Sequence, residues 1–210
     1  MKAETFFSAN EKKQIEATIA GIEQKTSGEI AVMVVDQSDT YPEGRILAGI
    51  LSGSLTALLI THRFFDESLW YFIPLAVIFA FLFGWAVRYA PPLFRYFIPA
   101  GRLESEVQER ALRGFYEKQL YRTRDQTGVL FFLSLLEHRV WVLADRGIYA
   151  RITPEELKKY AHLIAYGIKS GNACQVLCHE MEQVGEVLAA HFPIRDDDEN
   201  ELDNEIIIGK

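Results

Sequence analysis

Ile46–His62 reads ILAGILSGSLTALLITH and Leu69–Val87 reads LWYFIPLAVIFAFLFGWAV, and neither run holds a residue charged at neutral pH. Between them stands a short polar break, Arg63–Ser68. As α-helices rising ~1.5 Å per residue the runs would reach about 25 and about 28 Å, close to the ~30 Å hydrocarbon core of a bilayer. The stretch 45–88 therefore reads as a transmembrane helical hairpin. It lies inside the chain, so the sequence on either side of it is expected to build one soluble fold.

Whole-chain averages conceal this plan. A hydrophobic content of 49% and a mean hydropathy of +0.01 arise by averaging one apolar third with two polar thirds. Without the hairpin and its flanks about 150 residues remain, enough for one domain with a core. The net charge of −7 comes largely from the acidic run Asp196–Glu205. Lysines and arginines do not gather on one face, so no nucleic-acid partner is expected. The start, MKAETFFSANEKKQIEATI, lacks an apolar signal core, which leaves the first span itself to target the membrane. Arg45, Arg88, Arg95 and Arg102 flank the hairpin on its outer sides, whereas Arg63 at its tip stands beside Asp66 and Glu67. Counting basic residues near the span ends places both termini in the cytoplasm. Cys174 and Cys178 fit a reducing compartment better than a disulfide framework.

Along the chain, Ser8 or Asn10 can cap a helix carrying Ile15, Ile19 and Ile22. Glu29–Asp36 (EIAVMVVD) is a β-branched run that reads as a strand buried on both faces. In the first span Gly49 and Gly53 form a small-residue face expected to pack on the second span or on a second copy of the chain. Pro74 falls near the start of the second span, and three prolines with Arg95 break Tyr89–Gly101 as a third one. Arg102–Gln119 returns to an amphipathic helix. Gly128–Leu136 and Arg139–Ala144 read as strands joined by a tight turn at Glu137-His138, hence an antiparallel hairpin. Thr153-Pro154-Glu155-Glu156 is a capped helix start, and a last helix covers Asn172–Phe192. The acidic tail is expected to be solvated, with Ile206–Ile208 docking on the domain. This order implies a small α/β/α sandwich on a mixed sheet, interrupted by the hairpin. The expected division is 1–44 and 103–193 as the two parts of one domain, 45–88 as the hairpin, 89–102 as an interfacial linker and 194–210 as the tail.

Thr26-Ser27-Gly28-Glu29 before a valine-rich strand, Thr123-Arg124-Asp125-Gln126-Thr127-Gly128-Val129-Leu130, and Ala144-Asp145-Arg146-Gly147-Ile148 occur in an order that resembles the TPM domain. That family takes its name from a thylakoid lumen phosphatase-like protein, a photosystem II repair factor and a worm receptor modulator. FLSLLEHRVWVLADRGI and NELDNEIII resemble a bacterial membrane-protein branch of it. The resemblance covers about 8–36 and 103–193. It implies an α/β/α domain attached to a bacterial-type cytoplasmic membrane. The activities it implies are diverse: an accessory or interaction role toward membrane complexes, or a divalent-cation-dependent phosphate-ester hydrolase.

Glu29, Asp36, Asp125, Glu137 and Asp145 fall at strand ends, where α/β folds gather functional groups. Asp125 and Asp145 are the candidates for a divalent cation such as calcium, which needs several convergent oxygens. Acids at turns are also common solvated caps. In the hydrolase reading Asp125 or Asp145 would act first and Arg124, Arg139 or Arg146 would hold phosphate. No phosphate-cradling glycine loop supports it. Asp196, Asp198 and Asn200 begin like a calcium loop, but Glu201 stands where its glycine belongs. Cys174-x-x-x-Cys178-His179 lacks zinc-site spacing, and such cysteines are usually small buried hydrophobes. The expectation is a membrane-integral accessory protein, with the hydrolase as the alternative.

Overall fold

A computed structural model describes residues 2–89, 94–195 and 201–209; Pro91 and Pro92 of the expected linker and Asp196, Asp198 and Asn200 of the acidic run lie outside them. The chain divides into two compact units, 1–38 with 104–210, and 39–103.

The first unit is a mixed α/β fold. Its helices are α1 (Ala9–Glu23), α4 (Ala100–Glu117, from residue 104 on), the single turn α5 (Arg146–Tyr149), α6 (Pro154–Lys169) and α7 (Ala173–His191). Its strands are β1 (Glu29–Val35), β2 (Gly128–Ser134), β3 (Arg139–Ala144) and β4 (Ile207–Gly209), in the sheet order β3-β2-β1-β4. β1 runs parallel to β2 and β4, and β3 runs antiparallel to β2. Every residue of β1 and β2 is buried, as their unbroken apolar composition requires. Alternation sorts them between two cores. Ile30, Val32, Val34, Val129, Phe131 and Leu133 pack with Ile15 and Ile19 of α1, Ile164 of α6 and Met181 and Val184 of α7. Ala31, Met33, Val35, Leu130 and Phe132 pack with Val107, Ala111 and Phe115 of α4.

Local chemistry fixes the ends of these elements. Ser8 caps α1 in a capping box, accepting from the Glu11 N–H while the Glu11 carboxylate accepts from the Ser8 N–H. Thr153 and Glu156 do the same for α6, with Pro154 in its first turn. Each box contributes about 1 kcal/mol. The β2–β3 connection is longer than the two-residue turn expected from Glu137-His138. Ser134 pairs with Arg139, so 135–138 form the turn, and His138 takes the left-handed conformation (φ 52°) that closes it. Ile206–Ile208 do dock: Ile207 and Ile208 align with Met33 and Val34 as part of β4, and Ile206 packs on the first core.

The second unit is built on α2 (Pro42–Phe64) and α3 (Leu69–Ala86), with single 3₁₀ turns at Val87–Tyr89 and Arg95–Phe97. The buried residues of α2 are Gly44, Ala48, Gly49, Gly53, Ala57 and Thr61. They form one small-residue stripe at helical spacing. A Cβ on Gly49 would overlap the Ala80 carbonyl oxygen, and one on Gly53 would lie 2.8 Å from the Ala80 Cα. These glycines are therefore taken up against α3 of the same chain. Pro74 lies inside α3 rather than in its first turn. Both helices are long and apolar enough to cross a membrane.

Candidate functional site

Two polar clusters sit at opposite ends of the sheet in the first unit. At the end where β1 and β2 begin, the loop 123–127 is a self-bonded turn. Thr123 Oγ1 accepts from the Thr127 N–H (3.0 Å), and Thr127 Oγ1 donates to the Ser27 carbonyl (2.9 Å). α5 packs directly on this loop, where the Gly147 N–H donates to the Gln126 carbonyl (3.1 Å). A side chain at 147 would lie 2.7 Å from the carbonyl oxygens of both Asp125 and Gln126. Only glycine permits that approach.

The two candidate ligands thus lie on adjoining loops, each with other work. Asp145 caps α5, its Oδ1 accepting from the Arg146 N–H at 2.6 Å. Asp145 Oδ2 is buried and has no hydrogen-bond partner among the described residues. Asp125 pairs with Arg195 at 3.2 Å. A divalent cation such as calcium takes six to eight oxygens. Among the described residues no three His, Cys, Asp or Glu side chains converge on one point. Two carboxylates, one facing a guanidinium and one facing a helix N–H, do not make that shell.

Three further acids lie at the same end of the sheet, Glu201 of the tail, Glu29 of β1 and Glu23 of α1, and sequence reasoning did not single out Glu23. Glu201 accepts from the Arg124 N–H through both carboxylate oxygens (3.3 and 3.1 Å), and its own N–H donates to Glu29 Oε1 (3.2 Å). Glu23, at the end of α1, accepts from the Ile30 N–H at 3.1 Å. Burial first, and the neighbouring Glu29 carboxylate second, push the Glu23 carboxyl from its ordinary 4.5 up to about 7, against the lowering effect of the Ile30 N–H and the Asn204 side chain. The tail segment 201–204 therefore lies across a carboxyl pair contributed by α1 and β1.

At the other end, where β1 and β2 finish, Glu137 is fully buried. It accepts from the Ser38 N–H (2.8 Å) and from Ser134 Oγ, which leaves Ser38 Oγ to donate to Ser134 Oγ (2.9 Å). Asp36 accepts from the Ala3 N–H. This network locks the point where the chain leaves β1. It exposes no nucleophile.

The three arginines proposed for phosphate do not meet. Arg139 pairs with Ser134 at the far end of β2, about 20 Å along the strand from Gly128, whereas Arg124 and Arg146 flank the beginning of β2. His138 is exposed on its turn, and His62 pairs with Glu67 at 2.8 Å. Cys174 and Cys178 are free and buried. The Cys174 thiol is pushed up to about 12, by burial first and then by the Cys178 thiol, which makes it a poor nucleophile and ligand.

No protein-family model matches the sequence, and no curated protein matches it. Among solved structures the chain is similar to the NMR structure of BA42 protein from the psychrophilic bacterium Bizionia argentinensis. The two are 22% identical over 97% of this chain and 96% of that chain, with a TM-score of 0.61. At that identity the likeness is one of fold and carries no activity across.

Proposed function

We propose that the chain is a membrane-integral accessory protein: α2 and α3 cross the bilayer as a hairpin inserted in a TPM-like α/β/α domain, which that hairpin carries to the membrane surface. The carrying observation is the inside-out distribution of side chains in the second unit. α2 buries its glycines, alanines and Thr61 and turns Ile46, Leu51, Leu55 and Leu59 outward. α3 buries no residue at all, and its Trp70 and Phe81 are 89% and 78% exposed. A helix of a water-soluble core would show the reverse, whereas small residues inside and large apolar ones outside suit helices packed in lipid.

Two spans return the chain to the side it started from, and Arg45, Arg88, Arg95 and Arg102 favour the cytoplasm for both termini. A Ser68→Cys variant should then react with an impermeant maleimide from outside the cell only. Labelling from inside only would overturn the orientation, and release of the protein by alkaline carbonate would overturn membrane integration itself. Because both polar clusters are occupied by structural hydrogen bonds, the domain's chemistry favours holding a partner over turning over a substrate. Crosslinking in native membranes should recover a reproducible protein partner, and recovery of lipid and self alone would count against the accessory role. The hydrolase alternative makes the opposite prediction. A double Asp125→Asn, Asp145→Asn variant would lose hydrolysis of generic phosphate esters, whereas the accessory reading expects it to match the wild type.

A further inference from the structure

β3 is an edge strand. The sheet order β3-β2-β1-β4 gives it one neighbour, whereas on the opposite side β1 is covered by the returning tail as β4. The ladder decides which backbone groups of β3 face outward. The Asp145 N–H donates to the Gly128 carbonyl at 2.8 Å, and bonding alternates along an antiparallel pair. Arg139, Trp141 and Leu143 therefore bond to β2, and the N–H and carbonyl groups of Val140, Val142 and Ala144 point away from it. Among the described residues no loop or helix gives these groups a backbone hydrogen bond. The three residues hold their side chains in the first core yet keep 8, 5 and 4% of their surface exposed, while Val129, Phe131 and Leu133 of β2, paired on both sides, keep 0%.

Nothing blunts this edge. RVWVLA holds no proline and no lysine, and its register with β2 runs from Arg139 to Ala144 without a bulge. An open apolar edge strand is a template for a further strand unless such devices stop it. On the other face of β3, Trp141 and Leu143 are half-buried against the second core, so apolar surface flanks the open backbone. Arg139 is half-buried as well and has no carboxylate partner among the described residues.

Pairing β3 with itself satisfies every one of these groups. The outward set of one copy must face the outward set of the other. A single antiparallel register pairs all of it: Val142 with Val142, and Val140 with Ala144 in both directions. That register sets Trp141 of each copy against Leu143 of the other, and Arg139 of each copy against Asp145 of the other. Sliding it by one repeat either way breaks up the outward set and puts Arg139 against Leu143 or Gly147. Asp145 keeps its capping bond to the Arg146 N–H, because a carboxylate accepts more than one hydrogen bond. The contact is self-complementary, as a two-fold dimer requires, and opposite charges directly across the strands add to it.

We propose that β3 is a homodimerisation edge, on which a second copy of the chain lays its own β3 antiparallel and joins two four-stranded sheets into one. The proposal concerns the α/β unit and does not depend on α2 and α3 crossing a membrane.

Sedimentation equilibrium of the full chain in density-matched detergent tests the dimer, and disulfide trapping tests its register. The wild type should associate reversibly to a dimer. Arg139→Glu, which sets two like charges across each end, should weaken association at least about tenfold, and Arg139→Lys should keep it. Trp141→Cys and Leu143→Cys chains, mixed and mildly oxidised, should form a disulfide between the two variants. Either variant alone should form far less, because its cysteines then lie on the diagonal; Cys174 and Cys178 are buried and stay out of the reaction. A wild type that remains monomeric as its concentration rises overturns the proposal. A dimer that Arg139→Glu leaves intact overturns β3 as its interface, and disulfides that form equally well in unmixed variants overturn the register. Recovery of a different protein, in place of the chain itself, from a photo-crosslinker at position 141 in native membranes overturns the second copy as occupant. Equal hydrogen-exchange protection of β1 and β2 in wild type and Arg139→Glu shows that the interface is lost without the fold, and the disulfide result stands on chains that keep Arg139.

Discussion

Raising the pH should loosen the end of the α/β domain built around Glu23, and Glu23→Gln should abolish the effect. Its carboxyl titrates near 7, against an ordinary 4.5, because burial and the adjacent Glu29 disfavour its charge. The folded state therefore holds this proton more tightly than the opened state does. The resulting stability is complete below about pH 4.5 and is lost as the pH climbs through about 7. The gap between those values sets a ceiling of about 3 kcal/mol. Glu23 is only half-buried, and solvent screening brings the expected loss to about 1–2 kcal/mol.

That loss should appear where Glu23 acts. It accepts from the Ile30 N–H, and the tail crosses it through Asn204 and through the Glu201 N–H on Glu29. Hydrogen exchange read by mass spectrometry on the full chain in nanodiscs, corrected for the intrinsic pH dependence of exchange, would follow peptides spanning 28–35 and 201–209. Between pH 5 and 8.5 their protection should fall about 5- to 30-fold, while 139–144 in β3 holds. Glutamine keeps an acceptor for Ile30 without the charge, so the variant's profile should be flat. An equal fall in Glu23→Gln, no fall in the wild type, or the same fall in β3 would refute the argument.

The other predictions concern packing and the buried network. Gly53→Val should force α2 away from Ala80, costing about 1–3 kcal/mol of helix-pair stability; faster exchange of both helices in nanodiscs is the readout, and unchanged exchange would contradict the close approach. Glu137→Ala leaves the Ser38 N–H and the Ser134 hydroxyl without their buried acceptor and should cost about 2–4 kcal/mol in thermal or denaturant melts, with Glu137→Gln milder. Cys174 and Cys178 should resist maleimide at neutral pH until the domain is denatured, because both are buried out of reach and burial also raises the Cys174 thiol. Prompt labelling of the folded wild type would show that α7 packs differently, and would also complicate topology mapping with Ser68→Cys.

What the residues disclose in one dimension depends on whether the physics involved is local. The two long apolar helices are legible because uncharged runs close to the roughly twenty residues a bilayer would demand stand out in one dimension. β1 and β2 are legible because burial on both faces leaves unbroken apolar runs, and α1 and α6 because their capping boxes are complete within four residues. Gly49 and Gly53 signal close helix contact, but only the packing on Ala80 chooses the partner. The parallel pairing of Glu29 with Gly128 joins residues about a hundred positions apart, and no local pattern encodes it. β4 was legible only as three isoleucines in an acidic tail; that they continue the sheet depends on β1 having an open edge. The candidate site shows the same limit more sharply. Asp125 and Asp145 stand out as acids beside strands, but the pairing of Asp125 with Arg195 and the capping of α5 by Asp145 are set by the fold. Glu23 looks like an ordinary solvated helix-end residue, and its carboxyl is pushed up to about 7 only when β1 and the returning tail close over it. Burial contributed by three separate segments is a property of the fold, so a carboxyl shifted this far leaves no mark in its own sequence neighbourhood.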